Sequence, residues 1–341
     1  MPRLSHTLDI TPVDRAVLAD AVSALHEIAR ACRFDGRGWL ALPDRTTTAG
    51  LRAEADDLGL IDADQARRLR EEQREAAERS AEARAEGDTA AAEEEAAAAS
   101  RLALQLRNGR HLAPRSRYLL AELSPSGVPL EPAEEDKGWS GTGLTVTSWD
   151  EHGRSALSYD MPDTSGGAPA VTWGDVEHDG AHEHLRATTQ VQLPGRGAWL
   201  RRARADLSFD TGAWYEAAAG RGDPEDPPAL VVAEHRLVRV RAWLAPSPGE
   251  DGRWSVAAVL DVRGRGLFRP LAALMFWAIR SSTRREERAK AGRGERTLRE
   301  QLAEDSARYD RIARNAPRIP GFLRRVRDAM ANARDAPPEA P

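Results

Sequence analysis

Cysteine is nearly absent: Cys32 is the single one in 341 residues. That excludes an internal disulfide and any zinc site built on several thiolates. Lysine is almost as scarce, with Lys137 and Lys290 standing against 47 arginines. Together with the abundant alanine, this is the bias expected of a high-GC bacterial genome, not arginine selected to grip phosphate. There is no Asn-x-Ser/Thr acceptor, no phosphate-loop sequence and no His-Glu-x-x-His. Gly138-Trp-Ser-Gly-Thr-Gly143 fits neither a nucleophile elbow nor a dinucleotide fingerprint. Nothing matches a nucleic-acid-binding module, so no nucleic acid is expected as partner. No segment near Met1 joins a basic start to an apolar core, and the expectation is a cytoplasmic protein. The chain shows no catalytic signature, so it reads as a binding protein more than an enzyme, with no cofactor expected.

No apolar run approaches the roughly 20 residues of a membrane-spanning helix. The longest, Leu267–Ile279, has thirteen residues and is interrupted by Arg269 and Pro270. It follows the β-type run Trp254–Val262 through Arg263-Gly-Arg-Gly266. Such a segment must bury its apolar surface against protein or lie in a membrane interface. The strands before it favour protein.

What is present suffices for a core: 41% of the residues are hydrophobic. Charge is unevenly spread. Residues 1–262 hold 30 Lys/Arg against 44 Asp/Glu, whereas residues 263–341 hold 19 against 10. Either the basic tail packs on the acidic body, or it contacts anionic lipid or nucleic acid.

Leu4, His6, Leu8 and Ile10 alternate with polar residues and predict a strand. Thr11-Pro12 then opens a helix at 13–32, with Thr11 as its cap. Cys32 falls on the apolar face of that helix, which favours a packed thiol over a nucleophile. Trp39–Leu42 reads as a second strand and 51–61 as a short helix. Residues 62–107 are rich in Ala, Glu and Arg, with no large aliphatic or aromatic residue between Leu69 and Leu102. They predict either a helical hairpin, 62–86 and 89–107, or a mobile insertion. From Tyr118 the period changes to two. Strands are predicted at 117–123, 143–149, 154–159, 169–177, 182–193, 198–209, 229–245 and 253–262, in one antiparallel sheet, strongly curved or closed. Helices at 270–290, 295–316 and 320–334 follow, then a disordered end. The segments are thus 1–50, first strand and helix of the main domain; 51–110, the insertion; 111–291, the sheet with its final helix; and 292–341, the basic helical tail.

Two constellations carry possible chemistry. If Asp179-Gly180 is a two-residue turn, Glu177 faces His182 and Asp175 faces His184, making two acid–histidine pairs that suit a metal or acid/base work. A solvent-facing hairpin tip accounts for the same residues. Nine tryptophans against five phenylalanines suggest aromatic lining of an apolar cavity, or ordinary packing of a sheet. Arg239 and Arg241 share a face with Trp243, as Arg201 does with Trp199, so a guanidinium stacked on an indole is available to an anionic head group.

The run Val256–Val262, then Arg-Gly-Arg-Gly-Leu-Phe-Arg-Pro-Leu and a long apolar helix, resembles the end of START-like (SRPBCC) helix-grip domains. The opening Leu4-Ser-His-Thr-Leu-Asp-Ile-Thr-Pro-Val-Asp is similar to that family's first strand and helix. The resemblance implies an antiparallel sheet gripping a C-terminal helix around an apolar cavity for lipids or other hydrophobic ligands. It implies no catalytic residue. The expectation is therefore an α+β protein: a curved antiparallel sheet packed on a C-terminal helix, with a helical insertion and a basic helical tail. Trp199, Trp243, Trp254, Phe268, Met275 and Trp277 are the expected cavity lining. The alternative is an interaction protein whose helical appendages bind a protein partner or an anionic membrane surface.

Overall fold

The computed structural model describes residues 3–61, 101–123, 142–163, 170–192, 202–264 and 298–333, with residues 71, 74–75, 78–79, 81–83 and 85 between them. Its elements in chain order are β1 (Arg3–Ile10), α1 (Arg15–Ala31), α2 (Arg45–Asp57), β2 (Arg101–Asn108), β3 (Arg117–Leu123), β4 (Thr142–Ser148), β5 (Arg154–Asp163) and β6 (Ala170–Asp179). There follow β7 (His184–Gln192), β8 (Arg202–Asp210), α3 (Thr211–Ala218), β9 (Ala229–His235), β10 (Val238–Pro248), β11 (Trp254–Gly264), α4 (Leu298–Asn315) and α5 (Ile319–Ala331). The class is α+β. The eleven strands form one antiparallel sheet in the order β1-β11-β10-β9-β8-β7-β6-β5-β4-β3-β2. Among the described residues this sheet ends at β1 and β2 and does not close. The expected helix at 270–290, with Phe268, Met275 and Trp277, lies outside the described residues, as do Trp199 and the tail 335–341.

Local chemistry moved several expected boundaries. The cap of α1 is not Thr11 but Asp14, whose Oδ1 accepts from the amide of Ala16 at 2.7 Å. The amide and hydroxyl of Thr11 donate instead to Asp310 on α4, at 3.0 and 2.9 Å, because a carboxylate is the stronger acceptor. Helix α2 starts six residues before the expected 51. Asp44 accepts from both the amide and the hydroxyl of Thr47, at 2.9 and 2.7 Å. That cap outweighs the low helix propensity of three consecutive threonines. Trp39–Leu42 forms no full strand, only single bridges from Leu40 to Phe34 and from Trp39 to Gln105.

The expected helix 89–107 is overturned at its end. Residues 101–108 are β2, paired with β3 in the register Leu104↔Leu120 and Leu106↔Tyr118. Leu102, Leu104 and Leu106 recur every second residue, and that period outweighs the propensity of the alanines and glutamates before them. In 71–85 every described residue is helical, with Arg74–Glu78 and Glu75–Arg79 one turn apart. The strand expected at 229–245 is a hairpin, β9 and β10, turning at Arg236-Leu237 without glycine, proline or asparagine to announce it. Helix α3 was not expected at all. It is eight residues long and starts where Asp210 accepts from the amide of Ala213 at 2.7 Å.

The chain divides into two compact units. The first contains Met1–Leu18, Asp150–Ala156 and Thr172–Ala316; the second contains Ala19–Trp149, Leu157–Val171 and Pro317–Pro341. In the first, α3 packs on β10, and its Trp214 and Tyr215 meet Trp254 edge-on at 6.1 and 5.5 Å. The Tyr215 hydroxyl donates to the carbonyl of Val13 at 2.8 Å. Burial, with the nearby Tyr309 and Asp14, pushes this phenol up to about 12. A raised folded-state value means the phenol contributes stability below the unfolded value of about 10. Stability should therefore fall as pH rises from about 10 towards about 12, and Tyr215→Phe should remove that slope in denaturation measured across this range.

Asp310 ties α4 to the same corner. It receives Thr11 and the guanidinium of Arg253, at 2.9 Å. Burial pushes the Asp310 carboxyl up, but Arg253 and Thr11 outweigh it and the net direction is down. The latch is thus fully present above the ordinary carboxylate value and is lost as pH falls through the lowered one. Asp310→Asn should cost about 2 kcal/mol at neutral pH and flatten the acid limb of the stability curve.

In the second unit, α2 packs on α5 through Ala55, Leu58 and Phe322, with Leu51, Leu323 and Val326 around them. Leu58 is fully buried. Arginines of α5 and of the turn before it meet acids at the rim: Arg318 with Asp57, Arg325 with Glu54 and Arg327 with Glu27. Three arginines of the tail thus meet acids of the body within this unit.

Candidate functional site

Register sorts the six strands β1, β11, β10, β9, β8 and β7 into two chemically different faces. On one face, a row of Leu4, Leu260, Ala242, Val231, Leu207 and Ala187 crosses all six strands. The next row reads Val262, Val240, Ala233, Ala205 and Thr189. The row on the other side reads His6, Ala258, Leu244, Ala229, Phe209 and Leu185. With strands spaced about 4.8 Å apart, this apolar field is about 24 Å wide. One end of it is occupied, where Ile10 and Trp254 lie beside α3. Further along, Leu4, Leu207 and Leu244 are 39, 38 and 39% exposed. Three large aliphatics open on one sheet face are unusual, because such residues are normally the ones folding hides.

The opposite face is polar and basic. One row reads Arg263, Arg239, Glu234, Arg204 and Gln190; the next reads Arg3, Asp261, Arg241, Val232, Asp206 and Thr188. Arg204 holds Asp206 at 2.7 Å and pulls its carboxyl below the usual range. Arg239 meets Glu234 at 3.2 Å, and Arg263 meets the buried Asp261 at 2.7 Å. Arg241 Nε and Asp261 Oδ1 are both buried and without a hydrogen-bond partner, although their residues are register neighbours. Beside this row a hollow of about 230 Å³ is lined by Trp173, Gln190, Arg202, Arg204 and Glu234, among others.

Of the expected lining, the two described members separate. Trp254 sits on the apolar side, in the aromatic cluster with α3. Trp243 sits on the polar side, its ring flanked by the guanidiniums of Arg3 and Arg241 at 5.0 and 5.8 Å. Positions 243 and 254 pair with Val259 and Pro248 respectively, and the period of two places them on opposite faces. A cavity on one face therefore cannot be lined by both. The expected stacking of Arg241 on Trp243 is present. The apolar field was legible in the alternation of each strand, but not its continuity, which depends on six registers at once.

The acid–histidine hairpin does not form the expected pairs. The turn is not Asp179-Gly180 but the four residues 180–183. Asp179 accepts from the amides of Ala181 and His182 and from the His182 ring at 2.7 Å, which holds its carboxyl low. Glu177 is taken by Arg154 at 2.7 Å, and His184 begins β7 opposite Asp210. Asp175 facing His184 followed only from the shorter turn. Among the described residues, no three of His, Cys, Asp and Glu come together to hold a metal ion.

The second unit has a cleft of about 730 Å³ lined by Cys32, Phe34, Leu106, His111 and Asn332, among others. Its histidine is already committed. Nε2 lies 2.6 Å from the Ala29 carbonyl, so it is the donor; Nδ1 then accepts from the Tyr118 hydroxyl at 2.8 Å. That hydroxyl accepts in turn from the amide of Leu112. Burial pushes the Cys32 thiol up. A thiol held neutral beside a histidine with both nitrogens engaged is packing, not an activated nucleophile.

No protein-family model, curated protein or solved structure matches the chain. Among the described residues no helix is long and apolar enough to cross a membrane.

Proposed function

We propose that the protein binds an elongated hydrophobic molecule, such as a lipid, on the apolar face of the sheet in its first unit. The observation that carries the reading is the unbroken row from Leu4 to Ala187 with Leu4 and Leu207 open to solvent. Binding there would remove apolar surface that folding alone leaves wet, at about 25 cal/mol per Å². A chain of fatty-acid length fits a field about 24 Å across. The START-like (SRPBCC) resemblance belongs to this proposal: an antiparallel sheet followed by C-terminal helices is compatible with a helix-grip protein, and such proteins hold apolar ligands against the sheet.

Native mass spectrometry of the full chain purified from its own host tests the reading. A retained lipid or other apolar molecule, displaced by a fluorescent long-chain fatty acid, is the expected result. A ligand-free protein that also fails to bind the fatty acid would sink the proposal.

A second reading, a protein partner held by the second unit, rests on Leu25 and Leu42, which are 55 and 66% exposed. Leu25→Ser with Leu42→Ser should then weaken binding of that partner, once isolated, without lowering thermal stability; unchanged affinity would remove the idea.

A further inference from the structure

We infer that the polar face of the first unit's sheet docks on an anionic lipid bilayer. Four arginines of this face, Arg3, Arg186, Arg202 and Arg241, have no carboxylate partner among the described residues. Arg186 lies in the row of Ser5, Val259, Trp243, Leu230 and Ser208. Arg202 reaches only the neutral amide oxygen of Gln192, at 3.1 Å. Arg3, Arg186 and Arg202 are exposed. Each carboxylate in the two charged rows is engaged by its own arginine; the further acids of this face, Asp9 and Asp210, stand at its α3 end, where Asp210 caps α3.

The excess stands out because the chain as a whole is negative, at −5. In the tail, Arg318, Arg325 and Arg327 meet acids of their own unit. On this face, Arg3, Arg186 and Arg202 hold positive charge open to solvent.

Its pattern selects the partner. The exposed unmatched guanidiniums are spread over β1, β8 and β7, a field about 24 Å wide at the usual strand spacing, and not along one line. A plane of phosphates meets such a field at many points; a nucleic-acid backbone would ask for a track with several stacking rings along it. In the middle, Trp243 and Leu230 make a short apolar strip bordered by Arg3 and Arg241. An indole amid arginines suits the head-group layer, where its ring lies at the boundary and the charges reach phosphate. The ligand face points away from this one, so docking stands whether or not the ligand reading does.

Co-sedimentation of the full chain with phosphatidylcholine vesicles, with and without phosphatidylglycerol, tests the inference. Binding is expected only to the vesicles containing phosphatidylglycerol, and it should weaken steeply as salt is raised. Each arginine near an anionic surface is worth about fivefold in partitioning. Replacing Arg3, Arg186 and Arg202 by glutamine together should therefore reduce it on the order of 100-fold. The corresponding lysine variant should keep most of it. Should the triple glutamine variant not fold, Arg186→Gln alone should still show about a fivefold loss. Absence of binding, equal binding to phosphatidylcholine alone, a folded triple variant that binds undiminished, or tighter binding to an oligonucleotide would each overturn the proposal.

Discussion

Replacing Leu207 and Leu244 together by aspartate should abolish binding of a long-chain fatty-acid probe while leaving the fold intact. Both leucines are open in the structure, so new carboxylates there remain hydrated and cost little in the free protein, within about 1 kcal/mol. Once an apolar ligand lies across the row, those carboxylates must either lose water against hydrocarbon or hold the ligand off. Either way the loss is several kcal/mol, more than about 100-fold in affinity. Leu207→Met with Leu244→Met keeps the surface apolar and should bind the probe within a few-fold of the unchanged protein. The decisive comparison is probe titration beside thermal unfolding. Full binding by the aspartate variant would place the probe's site elsewhere.

The largest expected loss of stability is at the contact between α2 and α5. Phe322→Ala should cost about 3–5 kcal/mol, a large part of an ordinary domain's stability. Phe322 fills the space beside the fully buried Leu58 and Ala55, with Leu323 and Val326 closing the sides. Removing the ring leaves a hole that two short helices cannot both collapse into. The ion pairs at the rim cannot compensate. Arg318–Asp57 is exposed and Arg325–Glu54 half-exposed, and such surface pairs contribute about 0–1 kcal/mol each. Charge reversal at Arg318 should therefore be mild where Phe322→Ala is severe. Denaturant unfolding followed by far-ultraviolet circular dichroism reads both. Because the chain forms two units, an early transition confined to part of the signal is the expected form of the loss.

Strand legibility followed the strength of the period-two signal. The strands β3, β4, β5 and β11 lie close to where alternation puts them. The helix α3 was hidden because eight residues give too few turns for a period to register, and its capping Asp210 reads equally as a strand end. The strand β2 was hidden in the opposite way, since its three leucines follow a long alanine- and glutamate-rich stretch whose propensity is helical. The hairpin at 180–183 shows the limit for candidate sites. A difference of two residues in a turn moved His182 from a cross-strand partner to a turn residue on Asp179.

Composition and alternation by themselves determined the class: an α+β protein with a large antiparallel sheet, no disulfide, and helices at its C-terminal end. Those are properties of single segments, set by side-chain period and backbone preference. Tertiary structure alone decided which residues share a face. Trp243 and Trp254 look equivalent in the sequence, yet register sends one among arginines and the other among aromatics. Leu4 and Leu207 lie about two hundred positions apart and meet in one row only because β1 pairs with β11 and the hairpins carry that register across to β8. A face is a property of pairing between strands, and pairing is long-range.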